Sequence, residues 1–227
     1  MKILLCWQGI SGYLAACWKA LAAMPGVELS ILSTPSYRNF NKSVLAGLNC
    51  HVMTPEENDD AAFNKNWIQS CNPDVIVLCG WIHPIWNRLP ELPEFADKPF
   101  VLAFDTPWRG TLRQRLAKWK LASLVRRMDR VIIPGERAWQ YARRLGFPER
   151  KIRRGMYGID FDALGPLYER RLAQGAGQWP RRFVYFGRYA EEKAIDVLVE
   201  AYRIYCKQAG DPWPLTTCGV GDMGKLL

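Results

Sequence analysis

Short apolar runs alternate along this chain with stretches of helical periodicity, and no other feature constrains the fold as much. The runs are KILLCW (2–7), VELSILS (27–33), DVIVLCG (74–80), FVLAFD (100–105) and DRVIIP (129–134). A nearly continuous apolar run is what a strand covered on both faces requires. Between the runs, residues 13–24, 59–71, 108–128 and 136–145 read as helices, and 50–53 as a weaker strand after a polar stretch. Strand and helix in this rhythm predict an α/β fold: a doubly wound, Rossmann-like, mostly parallel sheet.

After Gly158-Ile159-Asp160 the pattern changes. Residues 161–180 carry Gly165-Pro166 and Gly175-Ala176-Gly177 and read as a linker with a short helix. A new strand–helix–strand unit begins at Arg182 and takes in LTTCG (215–219). One such unit buries too little apolar surface to fold alone, since domains below ~40 residues usually need outside help. The second domain is therefore expected to be incomplete.

Composition narrows the class. With 49% hydrophobic and 23% charged residues, the chain reads as an ordinary globular protein. No apolar run approaches the ~20 residues needed to cross a bilayer. Ile3 to Trp7 is too short for the core of a signal peptide. The seven cysteines are scattered without a C-x-x-C pair, and the two histidines, His51 and His83, lie far apart. The expectation is a reduced, cytoplasmic protein with no metal site. Charge is uneven: residues 1–107 carry a net −3 and residues 108–227 a net +12. Such asymmetry points to a phosphate-rich ligand, nucleic acid or an anionic membrane surface.

The stretch FVYFGRYAEEKAIDVLVEAYRIY (183–205) begins as a strand and continues as a helix. Arg188 falls just past the strand, and Lys193 is expected in the first helical turn. A cation beside the positive end of a helix dipole is disfavoured unless an anion lies close by. Open parallel sheets bind ligands at the carboxyl ends of their strands. A guanidinium, an ammonium and free backbone N–H groups there make a phosphate cradle. The alternative is a surface Arg and a Lys paired with Glu191 or Glu192. In LTTCGVGDMG, Gly219 and Gly221 stand at the next strand's end, where a missing side chain lets backbone approach a ligand or simply makes a turn.

FVYFGRYAEEKAIDVLVEAY and LTTCGVGDMGKLL resemble the start of the donor-binding domain of GT-B glycosyltransferases of the retaining family 4. DRVIIPGERAWQYARRLGFPERKIRRGMYGIDFDALGP resembles the end of that family's first domain, with YGID where N-G-[VI]-D is common. The resemblance implies an acceptor-side domain over 1–160, a linker over 161–180 and an incomplete nucleotide-sugar-binding domain over 181–227. It implies that Arg188 and Lys193 hold the donor's diphosphate, with Gly219 and Gly221 beside them. Asp105 stands about where many members carry a His that touches the donor sugar. Gly9 and Gly12 stand in for a glycine-rich turn, and Ala194 replaces the family's usual Gly.

Other groups have two readings each. His83 follows a strand and points toward the same crevice, or packs beside Trp86. Trp81, Trp86 and Trp108 stack on a sugar or lipid acceptor, or fill the core. In the basic segment 108–130, Ala117, Leu121, Leu124, Val125 and Met128 share one helical face, and Leu112, Leu116 and Trp119 another. The second face enters a membrane interface or is covered by another element.

The expected function is transfer of a sugar from a nucleotide-sugar donor to an acceptor hydroxyl with retention. Arg188, Lys193 and Asp105 are the catalytic candidates, and Gly9, Gly12, His83 and Trp108 lie on the acceptor side. The acceptor is a saccharide, a lipid-linked sugar or a small molecule. No cofactor beyond the co-substrate and no specific nucleic acid is expected, and an anionic membrane face is a candidate partner. Two alternatives stand beside this. A non-catalytic binding protein would act through the basic helix on an anionic membrane or nucleic acid, with strong salt dependence. A dinucleotide-dependent oxidoreductase would need G-x-G-x-x-G after the first strand, which Gln8-Gly9-Ile10-Ser11-Gly12 lacks.

Overall fold

The structure, a computed structural model, describes residues 1–35 and 42–227. Its contacts divide the chain into Met1–Phe161 and Asp162–Leu227. The first unit contains strands β1 (Lys2–Trp7), β2 (Glu28–Ser33), β3 (Asn49–Val52), β4 (Val75–Cys79), β5 (Phe100–Ala103), β6 (Arg130–Ile133) and β7 (Ile152–Arg154). Its helices are α1 (Gly12–Ala22), α2 (Pro55–Asp59), α3 (Ala61–Ser70), α4 (Pro84–Arg88), α5 (Leu112–Lys120), α6 (Ala122–Arg127) and α7 (Glu136–Leu145). The strands form one parallel sheet in the order β3-β2-β1-β4-β5-β6-β7. This is the doubly wound α/β architecture that the alternation predicts.

Both faces of the sheet are covered, which is why its strands read as unbroken apolar runs. Along β1 the pleat sends Leu4 and Cys6 to one core and Leu5 and Trp7 to the other. The first core also holds Ile76, Leu78, Phe100, Leu102, Val131 and Ile133, and the second holds Trp18, Ile31, Val77 and Ala103.

Several boundaries differ from the sequence reading. The helix expected over 59–71 is α3, and a short helix not read from the sequence, α2, precedes it: Asp60 ends α2 and caps α3, its Oδ1 accepting from the Ala62 and Phe63 N–H groups. The helix expected over 108–128 starts only after Gly110, whose φ is +73°, and Thr111, whose hydroxyl accepts from Gln114 N–H. It breaks again at Leu121, which leaves helical geometry between α5 and α6. Strand β7 and helix α4 went unread, because each is short and β7 buries only Ile152. Part of the polar stretch before β3 lies outside the described residues.

The second unit contains helix α8 (Phe161–Gln174) from its second residue on, strand β8 (Phe183–Phe186), helix α9 (Ile195–Gln208) and strand β9 (Leu215–Cys218). The stretch read as a linker is thus mostly a helix, with Pro166 inside it. Strands β8 and β9 pair in parallel, Phe183 opposite Leu215. Helix α9 packs through Ile195, fully buried, and Tyr202, whose hydroxyl accepts from Leu215 N–H and donates to the Trp213 carbonyl. Lys193 is not in the first turn of α9. It closes a short 3₁₀ turn, and Ala194, left-handed at φ 52°, separates that turn from the helix.

Candidate functional site

In the first unit the sheet order reverses between β1 and β4, because the chain leaves β1 in one direction and returns to its other side. Such switch points leave a crevice at the carboxyl ends of the strands. A cavity of about 550 Å³ occupies this position, walled by Gln8, Gly9, Ile10 and Ser11 after β1, Thr34 and Pro35 after β2, and Ile82 and His83 after β4.

Gly9 makes the turn at φ +73°, and its N–H donates to Thr34 Oγ1 at 3.2 Å. Ser11 is the N-cap of α1, yet its side chain caps nothing and no acidic residue lies in the first turn. Among the described residues its Oγ is buried without a hydrogen-bond partner. An unpaired buried hydroxyl costs ~1–3 kcal/mol. With the free N–H groups of α1, it offers an anion or a sugar hydroxyl a set of unused donors. Gly12, the first residue of α1, has open space where a Cβ would stand.

His83 is buried and held at both ring nitrogens. Its Nδ1 accepts from Trp86 N–H at 3.4 Å as the cap of α4, so Nε2–H donates to Asn58 Oδ1 at 3.2 Å. Asn58 in turn donates to Asp59 at 2.9 Å, and Trp86 stacks on the imidazole with ring centroids 4.0 Å apart. Burial pushes the His83 pKa down, partly opposed by Asp59 and Asn58. The ring is therefore neutral and fixed: it shapes the cavity wall and is poorly placed to move a proton.

Asp105 is exposed just beyond β5 and accepts a 2.8 Å hydrogen bond from Tyr157 Oη. Tyr157, of the YGID segment, packs edge-on against Tyr13 at 5.3 Å, and Tyr13 lines the cavity. Burial, then the Asp105 carboxylate, push the Tyr157 pKa up and keep its phenol protonated. Asp105 is thus tied to the mouth through two tyrosines. The site reading missed Ser11, Asn58, Tyr13 and Tyr157; of these, only Ser11 and Tyr157 fell in segments already singled out.

Trp108 does not join this group. It packs against Tyr141 at 5.6 Å with Arg144 over its ring at 4.7 Å, and its N–H donates to the Arg137 carbonyl. Trp81 lies against Phe104 and Tyr141, and the indole of buried Trp86 donates to Asn64 Oδ1 at 2.8 Å. These three tryptophans serve packing. A second cavity, about 590 Å³, lies by α3 and α4 with Lys65 and Arg88 in its walls, away from the strand ends. Among the described residues no cluster of three His, Cys, Asp or Glu side chains is placed to hold a metal ion.

In the second unit, Arg188 follows β8 and pairs with Glu192 at 2.6 Å, both side chains about half exposed. The Glu192 carboxyl is held below its usual range by its backbone N–H and by Arg188. An exposed pair of this kind contributes little to stability. Lys193 is exposed, and its charge adds to the lowering of the Glu192 carboxyl. Gly219 and Gly221 are explained by the chain itself. A Cβ on Gly219 would strike the Gly187 carbonyl and the Tyr189 ring, and one on Gly221 the Tyr189 backbone. The two loops run side by side beyond the strands, with Tyr189 N–H donating to the Val220 carbonyl at 2.9 Å.

No family model matches the chain, and no curated protein does. Solved structures do. The chain is similar over 100% of its length to UDP-GlcNAc 2-epimerase from Neisseria meningitidis bound to UDP-GlcNAc, at TM-score 0.59 and 10% identity, spanning 67% of that protein. It is similar over 100% to S. aureus MnaA with UDP, at TM-score 0.60 and 14% identity, spanning 64%. It is similar over 98% to Anabaena Alr3699/HepE with UDP and glucose, at TM-score 0.60 and 16% identity, spanning 61%. It shares their fold. At these identities the likeness reaches the fold alone, and the chain spans about two thirds of the proteins it matches.

Proposed function

We propose that this chain belongs to a glycosyltransferase of GT-B type that moves a sugar from a nucleotide-sugar donor to an acceptor hydroxyl with retention of configuration. What carries the reading is the placement of Arg188 and Lys193 around the turn after β8, in a fold shared with structures that hold UDP. Two cations at a strand end neutralise the charge that builds on a departing diphosphate, the largest stabilisation available without a metal. The acceptor oxygen bonds to the anomeric carbon as the carbon–phosphate-oxygen bond breaks, and the acceptor's proton passes to the leaving phosphate. No side-chain base is then required, which suits a His83 already held at both nitrogens. On this reading the cavity beside Gly9, Ser11 and Gly12 receives the acceptor, a saccharide or a lipid-linked or small-molecule alcohol, and Asp105, tied to its mouth through Tyr157 and Tyr13, is a sugar-contacting carboxylate. The enzyme works in the cytoplasm, peripheral to the inner membrane face.

A second reading has its own support, since one of the structures the chain resembles is a UDP-GlcNAc 2-epimerase. An epimerase inverts a sugar carbon without an acceptor. Calorimetric titration with UDP tests the shared part: Arg188→Ala and Lys193→Ala each weaken binding ~10-fold or more, the scale of a hydrogen bond to a charged group. Wild-type affinity in both variants refutes the cradle. Incubation of the gene product with UDP-sugars separates the readings: release of UDP that depends on acceptor supports transfer, and a 2-epimer formed without acceptor refutes it.

A further inference from the structure

Helix α5 has no buried residue, an unusual state for a helix that carries three large apolar side chains. Leu112 is 77% exposed, Leu116 62% and Trp119 70%. Their i, i+4, i+7 spacing puts them in one stripe about 10 Å long. The opposite face holds the helix to its unit. Gln114 there accepts from Arg109 N–H and donates to the Pro107 carbonyl, and Ala117 packs on the core. The stripe therefore points outward, and the sequence reading in which another element covers it does not hold for the described residues.

The charges around it have one sign. On the helical wheel Arg115 flanks the stripe on one side and Arg113 and Lys120 on the other, with Lys118 beyond. Residues 106–128 contain no Asp or Glu. Among the described residues no carboxylate pairs with Arg109, Arg113, Arg115, Lys118 or Lys120, whereas Arg143 and Arg154 nearby in sequence have Glu149 and Glu136. A second copy of the chain meeting this face would set these cations against each other. A stripe of two leucines and a tryptophan needs an apolar medium, and its rim needs a negative one.

We infer that α5 is a membrane-docking helix that lies in the interface of an anionic bilayer, Leu112, Leu116 and Trp119 entering the acyl boundary while Arg113, Arg115, Lys118 and Lys120 sit at the headgroup phosphates. Interfacial helices have this division into apolar stripe and basic flanks, and tryptophan favours the boundary itself. At nine residues α5 is too short to cross a bilayer, so on this inference it lies along the interface. The inference does not depend on the nucleotide-sugar reading, since no residue in it belongs to either cavity or to the Arg188 turn.

The test is co-sedimentation of the chain with vesicles of phosphatidylglycerol and phosphatidylcholine, against phosphatidylcholine alone, at low and high salt. The chain should bind the mixed vesicles at low salt and be released as salt screens the headgroups. Two variants separate the contributions: Leu112→Ser/Leu116→Ser/Trp119→Ser, and Arg113→Gln/Arg115→Gln/Lys118→Gln/Lys120→Gln. Each should lower the partition coefficient ~10-fold or more, given that every basic residue near such a surface contributes appreciably. A measurement on the unaltered fold stands beside them: brominated acyl chains should quench more indole emission in the wild type than in Trp119→Phe. Absence of binding at low salt, equal binding to neutral vesicles, variants that bind like wild type, or quenching indifferent to Trp119 would each overturn the inference. So would sedimentation showing a dimer that the stripe variant dissolves.

Discussion

Ala194→Gly should stabilise the second unit, and the gain can be worked from the backbone. Ala194 sits at φ 52°, ψ 48°, one of two non-glycine residues with positive φ among those described. For an L-residue the left-handed region costs ~1–2 kcal/mol. Glycine removes that cost but adds ~0.4–1 kcal/mol of unfolded-state entropy. Ala194 is also the N-cap of α9, a position where glycine is better than alanine. The balance is about 1 kcal/mol in favour of glycine, or roughly fivefold in an equilibrium constant. Because the two units need not unfold together, the suitable assay is hydrogen exchange on the amides of α9 rather than a global melt. Protection there should rise about fivefold in the variant, and Ala194→Val, with its β-branch, should lower it. Unchanged or reduced protection in Ala194→Gly would mean that the turn is not strained at this residue, and the placement of Lys193 by that turn would fall with it.

Gly219→Ala should destabilise the β8–β9 pair by ~1–3 kcal/mol, the usual cost of overpacking, because the added methyl meets the Gly187 backbone; limited proteolysis within 182–227 reads this, and a variant as resistant as wild type refutes the crowding. For His83 the folded-state pKa lies below its ordinary value near 6.5, so the unfolded chain takes up a proton first as pH falls. Stability should therefore be intact above neutral pH and decline below about 6.5, and the difference between wild type and His83→Gln across pH 7.5 to 5.5 should shrink toward acid; a difference independent of pH rejects the buried neutral imidazole.

The sheet of the first unit was legible because each central strand is buried on both faces, which leaves an apolar run of strand length between helical stretches. Leu4 to Trp7 and Ile76 to Leu78 needed no context to be read. What escaped was whatever depends on one polar atom meeting another. Asp60 divides α2 from α3 through its own carboxylate, and composition does not distinguish an Asp that caps from one that faces water. The site divides along the same line. Gly9 and His83 were placed at the cavity by their positions after strands, a rule of topology. Tyr13 and Tyr157 meet across more than a hundred residues, and nothing in the spacing of either announces the contact.

The two candidate sites, one in each unit, also differ in what their residues answer to. Gly219 and Gly221 look ligand-facing in sequence, yet the Gly187 carbonyl and Tyr189 already account for both, so packing alone would select them. Ser11 is the reverse case: its buried Oγ finds no partner among the described residues, and no packing demand explains a hydroxyl at that N-cap over the methyl of alanine. Arg188 falls between, partnered by Glu192 but only through an exposed pair that contributes little. A polar group that the fold leaves unused is better evidence of a ligand than one that merely stands at a strand end. By that measure the turn between β1 and α1 has the stronger claim from structure, and the Arg188–Lys193 turn rests more on its resemblance. The UDP titration of the Arg188 and Lys193 variants therefore asks whether a ligand takes Arg188 from Glu192.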